Sequence, residues 1–317
     1  MSTIVITGIA GTIGRLLARQ LHLDHQVMGL DRRDLVGKPK DIKVFSYDIR
    51  RKRCEKVFRN NRVDVIYHLN IMHDFNRPQA ELHSFNVVGT QRILEYAAKY
   101  NVKKVVFLST ANVYGARPDN PQYLTEDSLL LAGETFSAMR SLITADMLVT
   151  SFFWKNPEIE TVILRPAHIL GTVRNAPTLY LSLSRVPTLL GFDPMIQLIH
   201  ESEVVRALVL VLKAGARGIF NVAGPPAAPL SSILHYLQKP RIPVPHALLK
   251  KIARQALQFG MANVPPAEVD YLRYPCLVDD TRARTELGFA PNYDLIETLD
   301  LLRDSPVYLN PQFLPQA

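Results

Sequence analysis

Residues Ser2–Gly14 read STIVITGIAGTIG, and their pattern is the strongest indication of the fold in this sequence. A short run of β-branched residues leads into Gly8, Gly11 and Gly14 at three-residue spacing, and a helical pattern opens at Arg15. The order predicts a strand, a tight turn and the start of a helix. Gly8 lets the backbone turn off the strand, and Gly14 lets the helix pack closely against it.

The turn also has the properties of a phosphate-binding site. Without a Cβ at Gly11 the backbone can approach a pyrophosphate, which would lie at the helix N-terminus, where free N–H groups and the helix dipole favour negative charge. The following apolar run ends in Leu30-Asp31, about twenty residues after Gly11, as a dinucleotide-binding fingerprint requires. A glycine-rich turn without a ligand is the alternative. We predict that a dinucleotide contacts six residues of the turn: Gly8, Ala10, Gly11, Thr12, Ile13 and Gly14.

Three charged residues bear on the choice between NAD and NADP. The Asp31 carboxylate could accept hydrogen bonds from both ribose hydroxyls and would repel a 2′-phosphate, which favours NAD. Arg32 and Arg33 follow directly, and either could pair with that phosphate, so NADP is the alternative cofactor. The two arginines could also belong to a solvated loop.

At 317 residues the chain is long enough for one dinucleotide-binding domain and a smaller second region. Its 47% hydrophobic and 21% charged residues are typical of a globular protein. It contains no apolar run of about 18 residues and its first strand begins at once, so we expect a cytoplasmic protein without a membrane span. Cys54 and Cys276 match no metal-binding spacing and are expected to be free thiols, and we predict no metal site.

The net charge of +8 raises the question of a nucleic-acid partner. Basic residues cluster only around 50–53, with no interleaved aromatic residues and no recognition-helix pattern. Attraction of anionic nucleotides or a solvated helix face explains the charge at least as well. We therefore expect a small-molecule substrate and no nucleic-acid partner.

Strand and helix patterns alternate along the chain. Further strands are predicted at 27–30, 43–45, 63–69, 104–108 and 160–164, and a long helical pattern runs from Pro78 to about Tyr100. The run at 63–69 is apolar almost throughout, which is typical of a parallel strand buried on both faces. The predicted fold class is therefore α/β, with a Rossmann-type, doubly wound parallel sheet.

Six segments together resemble the extended short-chain dehydrogenase/reductase superfamily, the group that holds the NAD-dependent nucleotide-sugar epimerases and dehydratases. They are TGIAGTIG at 7–14, NVVGT at 86–90, STANVYG at 109–115, LRPAHILG at 164–171, GIFNVAG at 218–224 and DDTRARTELGFAP at 279–291. The resemblance implies an NAD(P)-binding domain over 1–165, to which segments around 196–224 return, and a smaller, mainly substrate-binding region over 166–317. It implies a nucleotide sugar or a similar anionic hydroxyl compound as the substrate.

The resemblance also implies further cofactor contacts. Asp48 and Ile49 are expected along the adenine, although Asp48 could instead be a plain helix N-cap. Asn86 is expected to brace the loops around the cofactor. Leu69, Leu108, Arg165 and Pro166 follow or end the predicted strands and complete the set. His68 stands next to Leu69 but is not expected to be catalytic.

The catalytic pair of the family is replaced in this sequence. Thr110 stands where the family has its catalytic Ser or Thr, and its hydroxyl could hydrogen-bond a reacting carbonyl. The family's Y-x-x-x-K pair aligns with Phe136 and Arg140. Phenylalanine has no titratable proton, whereas Arg140 keeps a positive charge that could contact ribose. The variants Phe136→Tyr and Arg140→Lys are together expected to restore the pair if activity was simply lost.

Other tyrosines could supply the missing acid. Tyr100 and Lys104 stand four residues apart, but they precede the fifth strand and would lie away from the cofactor crevice. Tyr114 and Tyr123 are in segments expected near the crevice, and we assign neither.

We make three further predictions for the chain after residue 166. Residues 177–186 read as a helix, and Ser202 reads as the N-cap of the next one. The stretch His246–Phe259 is amphipathic, which favours core packing or an oligomer contact, such as that of a homodimer, over membrane binding.

Two functions are compatible with these residues. One is an oxidoreductase or epimerase with a non-standard acid/base, acting through Thr110. The other is a catalytically inactive NAD(P)-binding protein that senses cofactor or binds a partner. The intact crevice favours the first, and Phe136 favours the second.

Overall fold

Seven parallel strands form the central sheet of the computed structural model, which describes residues 1–35, 37–74, 77–173, 175–258 and 266–304. The strands of the described residues are β1 (Thr3–Thr7), β2 (Gln26–Asp31), β3 (Lys43–Ser46), β4 (Val65–His68), β5 (Lys104–Leu108), β6 (Glu160–Pro166), β7 (His168–Leu170), β8 (Val186–Leu189), β9 (Met195–Ile196), β10 (Leu198–His200), β11 (Gly218–Val222), β12 (Ala228–Pro229) and β13 (Arg241–Val244). The order in the central sheet is β3-β2-β1-β4-β5-β6-β11. The predicted Rossmann-type fold class is confirmed.

The α-helices of the described residues are α1 (Thr12–Leu21), α2 (Glu55–Asn60), α3 (Gln79–His83), α4 (Gly89–Lys99), α5 (Ala132–Thr135), α6 (Arg140–Lys155), α7 (Ala176–Ser182), α8 (Glu201–Leu210), α9 (Leu230–Tyr236), α10 (His246–Gln258), α11 (Thr281–Leu287) and α12 (Leu295–Asp304). A π-helical turn, Ser84–Val88, joins α3 to α4, so the helical pattern predicted after Pro78 is present. Short 3₁₀ turns lie at Lys52–Cys54, Ala111–Val113, Ser137–Met139 and Pro266–Leu272.

Helices cover both faces of the sheet. On one face α1, α8 and α11 pack against the strands, and on the other α2, α4 and α6 do so. In α1 the buried residues Ile13, Leu17 and Leu21 recur every four positions, which is the spacing of one helix face. Strands buried on both faces need apolar residues throughout, and Ile4, Val5 and Ile6 in β1 are all fully buried.

The strand order reverses between β1 and β4, which are neighbours in the sheet although β2 and β3 separate them in sequence. At such a reversal the loops after the two strands leave in opposite directions and open a crevice at the carboxyl ends of the strands. Gly8 follows β1 and Leu69 follows β4, so the glycine turn lies at this crevice.

The smaller region is built from three two-stranded sheets. Strand β7 pairs with β10, β9 with β12, and β8 with β13. Between β10 and β12 the chain returns to the central sheet, where β11 pairs with β6 along the whole of Gly218–Val222.

Two details of this region correct the sequence analysis. The helix predicted at 177–186 ends at Ser182, because residues 186–189 form β8 and pair with β13. The N-cap of α8 is His200 and not Ser202: the His200 ring Nδ1 accepts the Ser202 N–H at 3.0 Å. Phe259 lies outside the described residues. None of the helices that the structure describes is long and apolar enough to cross a membrane.

Candidate functional site

A cavity of about 670 Å³ lies at the carboxyl ends of the central strands. The neighbouring strands β1, β4, β5 and β6 each contribute to the cavity wall the residue that ends the strand or directly follows it. The lining includes Gly8, Ala10, Gly11, Thr12, Ile13, Gly14 and Arg15 from the glycine turn and α1, together with Arg33, Leu69, Leu108, Ser109, Thr110 and Pro166. The sequence-predicted turn residues are therefore brought together with Leu69, Leu108, Thr110 and Pro166 in one cavity wall.

The glycine turn has the geometry that its sequence predicts. Gly8 has a φ of +77°, a left-handed conformation that favours glycine, and its N–H donates to the Leu30 carbonyl at 2.9 Å. A Cβ at Gly14 would lie 2.3 Å from the Gly8 oxygen, so α1 approaches the turn too closely for any side chain there. Gly11 is the N-cap of α1 and has no side chain to occupy the first-turn N–H groups, which leaves them for an anionic ligand.

Asp31 is placed differently from the prediction. Its side chain is 4% exposed and does not line the cavity. One carboxylate oxygen accepts the Ala10 N–H at 3.1 Å, and the other accepts the backbone N–H of Arg33 at 3.0 Å. The Arg33 guanidinium donates to both oxygens at 3.3 Å and is 67% exposed at the cavity. Arg33 therefore presents its positive charge to the cavity while neutralising Asp31.

Three other predicted cofactor residues do not line the cavity. The Arg32 guanidinium lies 5.0 Å from the centroid of the Phe85 ring, a cation–π contact. Asp48 forms an ion pair with Arg50 at 2.6 Å and also accepts the Arg50 backbone N–H at 2.9 Å, so its carboxylate closes a local turn. Ile49 is fully buried in the core. The prediction that these side chains contact the cofactor is not supported by their placement.

Asn86 braces a cavity loop, as the resemblance implies. Its side chain accepts the Met72 N–H at 2.7 Å and donates to the Met72 carbonyl at 3.0 Å. A second donation to Ser141 Oγ at 3.1 Å ties this loop to α6. Asn86 therefore holds Met72, whose two neighbours in the chain, Ile71 and His73, line the cavity.

His68 is a buried structural residue. Its two ring nitrogens lie 2.7 Å from the Thr7 hydroxyl and 2.9 Å from the Thr90 hydroxyl. Burial lowers the pKa of His68 to about 3, so the ring is neutral at physiological pH. It links β1, β4 and α4 and does not reach the cavity.

Thr110 and Ser109 are the two hydroxyl residues at the end of β5. The Thr110 Oγ1 accepts the Asn112 N–H at 3.2 Å and so caps the 3₁₀ turn Ala111–Val113. A hydroxyl that accepts in this way keeps its own proton to donate toward the cavity. Ser109 instead donates its proton to Asp146 at 2.6 Å.

Arg165 lies beneath the cavity and not in its wall. Its guanidinium is 3% exposed and forms a two-point ion pair with Asp146 at 2.6 and 3.0 Å. It also donates to the Tyr114 hydroxyl at 2.9 Å. Burial opposes the charge of Arg165, but the hydrogen bonds to Asp146 outweigh it and raise the Arg165 pKa. The predicted cofactor contact of this side chain is corrected: it fastens β6 to α6.

The two tyrosines considered as replacement acids do not face the cavity. Tyr114 is 1% exposed, donates to the Asn221 side chain at 2.8 Å, and has a pKa raised to about 12 chiefly by burial. Tyr123 is 43% exposed and is not part of the cavity wall. Neither can protonate a ligand in the cavity from this position.

Phe136 and Arg140 do not form a pair on one helix face. Phe136 has extended backbone angles between α5 and the 3₁₀ turn Ser137–Met139, and α6 begins only at Arg140. The Phe136 ring is 6% exposed and packs in a cluster with Val113 and Leu142. Arg140 is exposed and donates to the Gly133 carbonyl at 3.1 Å. From this segment only Met139, among the described residues, lines the cavity. The predicted role of Arg140 at the ribose is therefore corrected.

Several cavity residues were missed by sequence reasoning. They are Arg15, Ile71, His73, Ser109, Asn112, Met139, Ala167, His168, Ile169, Thr172, Val173, Asn175, Ala176, Pro177, Leu179 and Glu268. His168 lies in the segment 164–171, which resembles the family's exit from the sheet and is a usable signal, and Asn175 lies four residues beyond that segment. Glu268 lies about a hundred residues further along the chain, in a 3₁₀ turn with no motif around it, and only the fold brings it here.

A known family matches the part of the chain that carries the glycine turn, the strand-order reversal and the β5 hydroxyls. The family model described as "NAD dependent epimerase/dehydratase family" matches residues 4–223. The chain belongs to this family. The match covers the central sheet from β1 to β11, and therefore also the walls of the cavity that the sheet provides.

Individual relatives extend the likeness over most of the chain. An uncharacterised protein of Mycobacterium bovis is 28% identical over 310 residues, covering 94% of this chain and 82% of that protein. The structure of UDP-glucuronic acid 4-epimerase from Bacillus cereus, in complex with UDP-glucuronic acid and NAD, superposes with a TM-score of 0.74 at 19% identity, covering 94% and 97% of the two chains. DesIV, a dTDP-glucose 4,6-dehydratase from Streptomyces venezuelae, gives 0.75 at 21% identity, covering 98% and 99%. The likeness to these solved structures is one of fold.

Proposed function

We propose that this chain binds NAD in the 670 Å³ cavity and acts on a hydroxyl- or carbonyl-bearing carbon of a small molecule held beside it. The observation that carries the proposal is the continuity of the cavity wall from the glycine turn to Thr110. The reaction would be an oxidoreduction or an epimerisation. A nucleotide sugar is the first substrate class to test, because the Bacillus cereus and Streptomyces venezuelae relatives act on such compounds by name.

The described residues fit a dinucleotide. The cavity reaches the uncapped N-terminus of α1, and a Cβ at Gly11 would lie 3.2 Å from the Gly8 oxygen, so the turn forms a cradle that any side chain would narrow. Arg15 and Arg33 add positive charge at this end. When bound, NAD would supply a hydride acceptor, and Leu69, Leu108 and Pro166 would form the apolar part of its site.

Thr110 is the residue that we propose as the donor to the substrate oxygen. Its hydroxyl is held in place by the Asn112 N–H and retains a proton to donate. Beside it, the Ser109 hydroxyl is committed to Asp146, which lies in the buried ion pair with Arg165. Ser109 therefore holds the end of β5 in position, and Thr110 orients the ligand.

A second candidate function is an NAD-binding protein without turnover. The buried Phe136 ring and the contact of Arg140 with Gly133 favour it, because neither side chain can transfer a proton in the cavity. The two functions share the cofactor site and differ only in chemistry at the substrate.

The test is a product assay with the purified chain, NAD and a panel of UDP-glucose, UDP-glucuronic acid and dTDP-glucose. Turnover of a member of this panel supports the proposal, and Thr110→Val should then reduce that turnover about 10²-fold, because a positioned proton donor typically contributes that much. Val replaces the hydroxyl with a methyl group of similar size. The variant should therefore bind NAD with the affinity of the native chain, and this affinity is the control. NAD binding with no turnover on an extended substrate panel would establish the second candidate instead.

We propose that residues 1–165, together with segments around 196–224, form the NAD-binding domain and that the remainder of 166–317 mainly binds substrate. We also propose a homodimer, for which the exposed Leu248 on α10 offers apolar surface. Light scattering after size-exclusion chromatography measures its mass.

A further inference from the structure

A second cavity of about 240 Å³, which we call the inner chamber, adjoins the first. It lies between α7, α10 and the small strands of the C-terminal region. Its lining is almost entirely aliphatic or aromatic: His168, Ala176, Pro177, Tyr180, Leu181, Leu183, Pro187, Ile196, Leu198, Leu230, Leu249, Ile252, Ala253, Glu268, Val269, Tyr271 and Leu272. Four of these, His168, Ala176, Pro177 and Glu268, also line the larger cavity, so the two spaces share a wall.

The polar side chains that line the chamber either form hydrogen bonds within the protein or lie at the wall shared with the larger cavity. The Tyr180 hydroxyl donates to the Pro187 carbonyl at 2.8 Å, and the Tyr271 hydroxyl donates to the Asn112 carbonyl at 2.9 Å. Both tyrosines therefore offer their rings to the chamber. The His168 ring packs edge-on against Tyr271, with centroids 6.1 Å apart.

The charges at the chamber argue against an anionic group inside it. No Lys or Arg is found among the described residues of its lining, and the acidic residue is Glu268. A diphosphate buried there would meet no cation and would lie near a carboxyl group, which is costly for an ionised group removed from water. In the larger cavity, Arg15 and Arg33 stand at the glycine turn, where the cofactor pyrophosphate is expected.

The size of the chamber suits a hydrocarbon group. An apolar cavity of about 150 Å³ is large enough to stay dry and bind benzene. At about 240 Å³ the chamber can hold more than one such ring or an equivalent aliphatic chain. Leu181, Leu198 and Leu230 form a buried floor, while Leu183 and Ile252 are about half exposed at the rim.

We propose that the inner chamber binds the apolar part of a mainly hydrocarbon alcohol or ketone, with the oxygen-bearing carbon at the shared wall of His168, Ala176, Pro177 and Glu268. The identification of this ligand as a substrate rests on the proposed function. Binding in the chamber does not, and it can be measured separately. This ligand is uncharged and its burial is driven by apolar surface, so the chamber points to a substrate class other than the nucleotide sugars tested first.

The experiment is calorimetric titration of the full chain with decan-2-ol, propan-2-ol and UDP-glucose, each with and without saturating NAD. The expected result is that decan-2-ol binds at least tenfold tighter than propan-2-ol, because only the longer chain fills the chamber. UDP-glucose is expected to bind more weakly than decan-2-ol. If NAD fails to bind while decan-2-ol binds, the proposed function is wrong and the chamber assignment stands.

Two obstructing variants and one control locate the binding. Ala253→Phe adds a ring from the α10 wall, and Leu183→Trp adds one from the rim, where Leu183 is 44% exposed and can be enlarged without disturbing the core. Each should weaken decan-2-ol binding at least tenfold and leave NAD affinity unchanged. Gln255→Phe adds the same ring to an exposed position of α10 and should change neither. Equal decan-2-ol affinity in all three variants and the native chain would overturn the proposal, as would UDP-glucose binding that only the two obstructing variants abolish.

Discussion

At the scale of single residues, Asp31 and Arg33 form the contact that bears most on cofactor choice. The sequence predicts competition between the Asp31 carboxylate and the two following arginines. In the structure Asp31 and Arg33 are bonded to each other, and Arg32 turns away toward Phe85. The negative charge that should repel a 2′-phosphate is therefore partly neutralised, although NAD remains the cofactor that the carboxylate favours.

Asp31→Asn tests this contact. The variant can still accept the Ala10 N–H but loses its negative charge and releases Arg33, so NADP affinity should rise relative to NAD affinity by about tenfold, or about 1.4 kcal/mol. Titration calorimetry with both cofactors measures the ratio. Asp34→Asn is the matched control, since Asp34 is exposed and bonds to Ser46 away from the cavity. Native protein that already prefers NADP would show that Arg33 dominates.

Glu268 gives a prediction on pH. Burial raises its pKa from 4.5 to about 7. Between these two values the folded chain binds more protons at this residue than the unfolded chain, so the contribution of Glu268 to stability falls as pH rises from about 4.5 to about 7 and is constant above. Glu268→Gln lacks this loss, so its free energy of unfolding relative to that of the native chain should be higher at pH 8 than at pH 5.

Urea unfolding at the two pH values measures the difference. The exposed Glu158→Gln serves as the control for changing one carboxyl to an amide. A Glu268→Gln free-energy difference that is the same at both pH values would contradict the raised pKa.

Single residues also show where sequence reasoning succeeds. The glycine turn could be predicted because its function depends on local backbone geometry, which Gly8, Gly11 and Gly14 encode within seven positions. The approach of Glu268 to His168 could not be predicted, because it depends on how the C-terminal segments fold back over the cavity. Arg165 was placed beside the cofactor from a motif, but its partner Asp146 is recognisable only in three dimensions.

At the scale of elements, the segment before α6 bears on the Y-x-x-x-K pair that the resemblance implies and that aligns with Phe136 and Arg140. A motif of two residues four apart implies a common helix face. Here Phe136 precedes the helix and Arg140 is its first residue, so the spacing is present without the geometry. Sequence alignment identifies the substitution but cannot reveal the break in the helix.

The double variant Phe136→Tyr and Arg140→Lys should therefore not gain turnover, contrary to the expectation from sequence. A Tyr hydroxyl at 136 would enter the apolar cluster with Val113 and Leu142, and a Lys at 140 would start from an exposed position beside Gly133. The product assay on the same nucleotide-sugar panel measures it. A gain of about 10² or more would show that the segment rearranges to rebuild the pair.

The ion pair between Arg165 and Asp146 joins β6 to α6 and gives a stability prediction. Arg165→Met leaves Asp146, which is 0% exposed, without its cation. Removing one partner of a buried pair typically costs about 3–5 kcal/mol. Arg282→Met is the control, because its ion pair with Glu286 is exposed and should contribute at most about 1 kcal/mol. Chemical denaturation that shows equal losses for the two variants would contradict the assigned role.

At the scale of the whole molecule, the parallel sheet could be predicted from the alternation of apolar strands and helical patterns. The strand order β3-β2-β1-β4-β5-β6-β11 then places the loops after β1, β4 and β5 at one edge, and this placement creates the cavity. The smaller region was harder to predict, because its short strands pair across long stretches of chain, as β8 does with β13. Its apolar chamber is a property of that assembly and has no sequence motif.

The proposed function depends on NAD binding in the cavity at the glycine turn. The most direct measurement is calorimetric titration of the purified chain with NAD, compared with Gly11→Val, whose side chain would project into the cradle beside the Gly8 oxygen. The native chain is expected to bind NAD, and Gly11→Val is expected to keep the native fold and to bind NAD at least about tenfold more weakly. No NAD binding by the native chain, or equal affinity in the folded variant, would contradict it.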